Sequence, residues 1–237
     1  MNSTSLAHAR QLLDSSGFSG KLAPSTLDSL LSQATVRSYA QNQLLCLRGD
    51  TIAELRFILD GNIEVSIEDD EGRRSICWYV GPGQWLGLIS IIDGLGSVHN
   101  FRAHAETTAL CLPRRVFLDA LNRDHGLSLM CLNLLSERSR AIYTNQAADA
   151  LMPLQARIAR LLLMLMAEHG DDSNDNVELR MKFTQEDFAA MLGISRQSLN
   201  RELRILEAEG TIAVAYSRIT LCDLAALRRA VAATAFS

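Results

Sequence analysis

The chain has 237 residues, enough for one large or two modest domains, and its 48% apolar composition excludes disorder as the main state. A formal net charge of -4 excludes a protein that grips nucleic acid through its whole surface, so any attraction to phosphate has to be local. The start, MNSTSLAHARQLLDSSG, lacks a signal peptide's basic and apolar regions, and the longest apolar run, residues 161–167, is far too short for a bilayer, so a cytoplasmic protein without a membrane partner is expected.

In chain order, Pro24-Ser25-Thr26 opens a short helix through about residue 34. β-prone runs at 44–47, 55–59 and 63–67 follow, separated by Arg48-Gly49-Asp50 and Asp60-Gly61-Asn62. Ile63, Val65 and Ile67 alternate with Glu64, Ser66 and Glu68, the mark of a half-buried strand. Asp69-Asp70-Glu71-Gly72 turns the chain into a run at 75–80, and Gly81-Pro82-Gly83 and Gly94-Leu95-Gly96 bracket residues 85–92. Strands at this regular spacing predict a small antiparallel barrel or roll ending near Leu112.

From His125 the pattern becomes helical. Leu127, Cys131, Leu134, Leu135 and Ile142 recur at three- and four-residue steps, predicting a helix to about residue 150 whose stripe must be buried against something. Pro153 interrupts it, and the segment around Leu151 and Met152 is the expected hinge. Residues 154–169 form a second helix, apolar on most faces as a helix wedged between domains would be, and a polar loop at 171–176 leads onward.

The most informative stretch is 183–206, FTQEDFAAMLGISRQSLNRELRIL, which has the spacing of a helix-turn-helix. Thr184 can cap the first helix with Asp187 in its positive first turn, Phe188, Ala189 and Leu192 share a face, and Gly193 suits a tight turn. Ser195 caps the second helix, whose Leu199, Leu203 and Leu206 face inward and turn Arg196, Gln197, Asn200, Arg201 and Arg204 outward. Arginine bonds guanine bidentately and Gln or Asn pairs with adenine, while Ser195 and Ser198 are short donors suited to phosphate; these residues, with Thr184 and Gln185, are the candidate DNA contacts. Two β-prone runs within 210–221, broken at 216–218, read as a wing with Arg218 at its tip, available to phosphate. Residues 184–230 hold six Arg against six Asp plus Glu, so specificity must rest on a few placed arginines and on dimer symmetry.

Other chemistry is poorly supported. No phosphate loop, nucleophile elbow or paired carboxylates point to an enzyme. Cys46, Cys77, Cys111, Cys131 and Cys222 are odd in number and scattered, which favours reduced, mostly buried thiols over disulfides or a metal site, with Cys46 beside Arg48 as a redox-sensor candidate. The five histidines show no metal-ligand spacing.

Taken together, residues 22–221 resemble the catabolite-activator and fumarate-nitrate-reduction (CRP/FNR) family of bacterial transcription regulators. The resemblance rests on Gly49, Gly61, Gly72 and Gly83, on Gly83-Gln-Trp-Leu-Gly, His104-Ala-Glu-Thr and Arg157-Ile-Ala-Arg-Leu-Leu-Leu, and on the Thr184 to Glu207 motif. It implies an α+β fold: a cyclic-nucleotide-binding-like β-roll at 1–124, a dimerisation helix at 125–152 and a winged helix-turn-helix at 153–237. It further implies a homodimer joined along the long helix through Leu127, Cys131, Leu134, Leu135 and Ile142. The expected partners are double-stranded DNA with a two-fold symmetric site, RNA polymerase and an unidentified small-molecule effector. Arg196 and Arg201 fall where the family places its major-groove arginines, and Gln197 stands where many members have Glu.

The ligand pocket departs from the family's cyclic-AMP pattern. There a Glu after a Gly holds the ribose and an Arg-Ser pair neutralises the phosphate; here those positions are Leu88, after Gly87, and His99-Asn100, allowing one inserted residue. Strand alternation puts Arg102 on the face of Asn100 rather than of His99, and the long-helix positions that meet the base are Ile142-Tyr143. Cyclic AMP is therefore disfavoured, and so is an iron-sulfur cluster, since no cysteine precedes Cys46. Three options stay open: a more apolar effector near Trp85, Leu88, His99, Asn100 and Tyr143, a haem or cyclic dinucleotide, or no effector. The competing reading is a ligand-binding or protein-interaction module with a non-functional winged helix.

Overall fold

A computed structural model describes residues 3–169, 177–178, 183–215 and 218–233, and by backbone contacts the chain divides into two units, 1–137 and 138–237. This boundary lies inside the long helix, so the contacts follow neither the 124/125 nor the 152/153 division expected above.

In the first unit, α1 (Ser3–Ser15), a 3-10 turn (Ser19–Lys21) and α2 (Pro24–Gln33) precede eight strands. These are β1 (Thr35–Tyr39), β2 (Leu44–Cys46), β3 (Glu54–Asp60), β4 (Ile63–Glu68), β5 (Arg74–Val80), β6 (Trp85–Leu86), β7 (Asn100–Ala103) and β8 (Thr107–Pro113), with α3 (Leu88–Asp93) between β6 and β7. They form two four-stranded antiparallel sheets, ordered β1-β8-β3-β6 and β2-β7-β4-β5, and the chain leaves them through α4 (Arg114–Arg123). Ile63 and Val65, on one face of β4, join Phe57, Leu110, Phe101 and Ala103 in the core of this roll. Glu64 and Ser66, on the other face, pair across the sheet with Arg102 and Asn100 and are buried as well, Glu64 against Arg74 at 3.0 Å, so β4 is not the half-buried strand its alternation predicts. Gly61, between β3 and β4, has φ +77°, and a Cβ there would lie 2.2 Å from the Glu106 carbonyl oxygen, so only glycine closes this hairpin.

The roll contains more helix than its sequence advertises. Residues 85–92, offered as a strand-like segment, are a two-residue strand followed by α3, whose ends are set by Gly87 (φ 91°) and Gly94 (φ 75°) in the left-handed region. The Trp85 ring packs 4.7 Å from Phe57 and 4.9 Å from Phe18, centroid to centroid, which makes it the centre of an aromatic core joining the N-terminal segment to the sheets.

α5 (His125–Leu151) is one continuous helix of 27 residues, as its periodicity predicts. Asp124 caps it: one carboxylate oxygen accepts the Leu127 amide at 3.1 Å and the other the Ala23 amide at 3.0 Å, tying the start of α5 to the start of α2. Its carboxyl is held below the usual range, first by a Thr26 side-chain hydrogen bond and then by the backbone amides it accepts. A depressed folded pKa contributes stability that is present above about pH 4 and is lost as pH falls through the folded value. Asp124→Ala is accordingly expected to cost about 1–2 kcal/mol near neutral pH and to flatten the loss of stability on acidification, both read by urea unfolding at several pH values.

The stripe predicted to meet a second copy is oriented otherwise. Leu127 (0% exposed) and Cys131 (3%) lie in the roll's own core, with Leu134 and Leu135 packed partly against it; of the five expected interface residues only Ile142 is exposed. The periodicity identified the buried face correctly but carried no information on which neighbour buries it.

The second unit continues from α5 into α6 (Leu154–His169), β9 (Val177–Glu178), α7 (Gln185–Leu192), α8 (Arg196–Ala208), β10 (Ile212–Ala215), β11 (Arg218–Leu221) and α9 (Leu224–Ala232). β10, β11 and β9 form a three-stranded sheet in that order, and α9 packs on α6. The polar loop at 171–176, Tyr216 and Ser217 at the wing tip, and the Arg218 side chain lie outside the described residues.

Candidate nucleic-acid interface and ligand pocket

α7 begins as the sequence predicts. The Thr184 hydroxyl accepts the Asp187 amide at 3.1 Å while an Asp187 carboxylate oxygen accepts the Thr184 amide at 2.9 Å, a reciprocal capping box. That hydroxyl also donates to the same carboxylate at 2.8 Å, so its proton is committed within the cap. The chain leaves α7 at Gly193 with φ +64°, and the Ser195 hydroxyl, accepting the Ser198 amide at 3.1 Å, starts α8 three residues after α7 ends.

With this start, Leu199, Leu203 and Leu206 are buried and Arg196, Gln197, Arg201 and Arg204 are exposed together on the opposite side, with Asn200 half-buried among them and Gln185 half-buried on α7. A basic and amide-bearing face on an otherwise acidic chain is what reading base edges requires. The two carboxylates next to it went unnoticed in the sequence. Arg201 donates through Nε and Nη2 to one Glu202 oxygen, both at 3.2 Å, and Arg196 to Glu186 at 3.4 Å.

In the roll, the expected pocket residues separate. Leu88 is 2% exposed within the core, and Trp85 belongs to the aromatic cluster, so neither offers a polar or stacking surface to a ligand. Asn100 pairs with Ser66, on the face opposite Phe101, and its side-chain oxygen accepts the Arg48 amide at 2.8 Å. Arg102 shares that face and donates to the Asn42 carbonyl oxygen at 3.1 Å. His99, like Asn100 and Arg102, is half-buried; burial and then the nearby Arg48 charge push its pKa below the ordinary value, so it is neutral at neutral pH. Arg48 was not singled out for this site, because only the fold brings it close. Tyr143 lies in the other unit and is exposed.

Cys46 loses its redox reading. Its thiol is buried, donates to the Leu47 carbonyl oxygen at 3.2 Å, and is pushed above the usual thiol range chiefly by that burial, which suppresses the reactive thiolate. Cys131 is pushed up to about 11 by the same cause.

Two family models match the chain, a cyclic nucleotide-binding domain over residues 36–124 and a Crp-like helix-turn-helix domain over residues 156–230. The chain belongs to the CRP/FNR family. It is a transcription regulator with a helix-turn-helix domain, not an enzyme. It is 26% identical over 192 residues to the cAMP-activated global transcriptional regulator Vfr of Pseudomonas aeruginosa, covering 79% of this chain and 89% of that one. It is 29% identical over 194 residues to the transcriptional regulator LdrP of Thermus thermophilus, covering 82% and 95%. FixK2 from Bradyrhizobium japonicum has the same fold at 18% identity, with a TM-score of 0.75 over 83% of this chain and 96% of that one. Among the described residues no helix is long and apolar enough to cross a membrane.

Proposed function

We propose that this CRP/FNR protein is a homodimeric, sequence-specific regulator that reads a two-fold symmetric DNA site with α8, under control of an effector other than cyclic AMP. The observation that carries the reading is the α8 face: two capped helices three residues apart, three buried leucines, and Arg196, Gln197 and Arg201 left exposed.

A seam for the second copy is available on α5. Leu129, Leu132, Ser136, Ser139, Tyr143, Gln146 and Ala150 alternate at three- and four-residue steps, all exposed, on the side away from Leu127 and Cys131. A 3.5-residue repeat with small residues among the apolar ones suits close packing of two like helices. This seam replaces the Leu127 stripe of the sequence reading.

The effector reading rests on the residues at the three positions of the cyclic-AMP pattern, not on the charge of the region, since Arg48 lies near His99. A cyclic phosphate needs a fixed cation and a ribose acceptor, and the positions that would supply them hold a neutral histidine, an asparagine on the wrong face and a core leucine. Selection from a random-sequence duplex pool, with and without cyclic AMP, tests the proposal. It should recover a palindrome with half-sites about 34 Å apart, and the same sequences in both arms. Failure to enrich any sequence would leave a ligand-binding module with an inactive winged helix.

Gln197 carries a finer expectation. Gln pairs best with adenine and Glu accepts from cytosine, so Gln197→Glu should change the preferred base under α8, with discrimination of about 1–3 kcal/mol at that position. Identical base preferences from parallel selections on the two proteins would refute this.

A further inference from the structure

We propose that Arg157 is a positioning residue for DNA reading: it fastens the turn between α7 and α8 to the end of α5, and so sets the angle at which α8 is presented. The proposal deepens the palindrome-binding reading above and depends on it.

The Arg157 side chain, only 17% exposed, holds two partners at once. One Nη donates to the Leu192 carbonyl oxygen at 2.6 Å and reaches the Asp149 carboxylate at 2.8 Å, while Nε donates to the same Asp149 oxygen at 3.0 Å. Leu192 is the last residue of α7, so its carbonyl is among those no intrahelical amide can reach, and the negative end of that helix favours a cation there. Asp149 lies two residues before the end of α5. One guanidinium therefore bridges the long helix and the turn that leads into the reading helix. A lysine could not reproduce this, because a compact ammonium lacks the planar fork that serves two directions.

Two further contacts brace the same corner. Arg160, one turn along α6, donates to the Asn145 side-chain oxygen at 2.6 Å, one turn back along α5. Ala148, Met152 and Ala156 close the inside as a small buried apolar cluster. The Pro153 corner, where the sequence places the hinge, is thus spanned by two arginines and a buried apolar contact. Residues 138–151 belong by their contacts to the unit that holds α7 and α8. A displacement of the α5 seam would be passed to the reading helix through Arg157 rather than absorbed at the proline.

The test separates geometry from local affinity. The full-length wild type, Asp149→Asn, Arg157→Lys and Arg157→Ala are titrated on three duplexes: the selected palindrome, a single half-site, and palindromes with the spacer changed by one, two and five base pairs. The wild type should lose at least tenfold in affinity on altered spacers. Each variant should bind the half-site within twofold of wild type while its spacer discrimination falls to threefold or less. Asp149 is exposed, so Asp149→Asn remains informative if Arg157→Ala is poorly folded. Full spacer discrimination in Asp149→Asn and Arg157→Lys, or a parallel loss on half-site and palindrome, would overturn the proposal while leaving the palindrome reading intact. A wild type indifferent to spacing would overturn both.

Discussion

Leu132→Glu is expected to convert the protein to a monomer at concentrations where the wild type is a dimer. Leu132 is 61% exposed on α5 and sits in the heptad stripe with Leu129 and Tyr143, while the opposite side of the helix is occupied by the roll core. In a two-fold interface the residue meets its own copy, so one substitution removes two buried leucines, about 3–6 kcal/mol of apolar burial, and sets two carboxylates against each other. Dimer dissociation should strengthen by roughly two to four orders of magnitude, visible in sedimentation equilibrium, with unchanged unfolding of the roll. Leu127→Ala is the counterpart on the other side: it should cost about 2–5 kcal/mol of stability as a core truncation without changing association. A Leu132→Glu protein that stays dimeric would place the seam elsewhere.

The contrast between Leu127 and Leu132 also shows what was legible in the sequence. Apolar periodicity reveals which residues of a helix are buried, and α5 runs almost to the residues expected. It cannot distinguish burial in the same chain from burial against a copy, and the strongest stripe proved to be the intramolecular one. The helix-turn-helix was read nearly in full because its determinants are local: a cap, a turn glycine, a second cap and a run of leucines each act within a few residues. The ligand pocket was read less well because its residues come from separated strands. Trp85 and Leu88 look like lining residues until the N-terminal segment contributes Phe18 to the space beside the tryptophan. Asn100 was assigned by linear offset, whereas its register against Ser66 and its bond to the Arg48 amide put it on the other face.

The hinge illustrates the same limit. A proline between two helices predicts a break in hydrogen bonding, and α5 does end at Leu151 with α6 starting at Leu154. Whether a break is a pivot depends on what spans it, and here two arginines on α6 reach back to Asp149 and Asn145. Arg157 and Arg160 were visible in the sequence only as part of a motif shared with a family.

Arg201→Ala is expected to weaken binding to a specific site by about 1–3 kcal/mol, roughly fivefold to 150-fold, and binding to random DNA by far less. In the free protein the Arg201 guanidinium is held by Glu202 and that of Arg196 by Glu186, so contact with DNA is an exchange of partners rather than a simple gain. The Arg201 guanidinium is itself well exposed although Glu202 is largely buried, and the Arg196–Glu186 pair, exposed on both partners, contributes about 0–1 kcal/mol. A bidentate bond to guanine exceeds that and drives the exchange, whereas a screened phosphate contact on random sequence barely offsets it. The carboxylates are therefore expected to hold down non-specific affinity on a module whose six arginines are already matched by six acidic residues. Glu202→Gln should accordingly raise affinity for random DNA by a few-fold and narrow the specificity ratio, with no such gain in an Arg201→Ala background. Fluorescence anisotropy on specific and random duplexes at one fixed salt concentration measures both effects. Equal losses on the two duplexes for Arg201→Ala would reduce that residue to a phosphate contact and move base reading to Arg196 and Gln197.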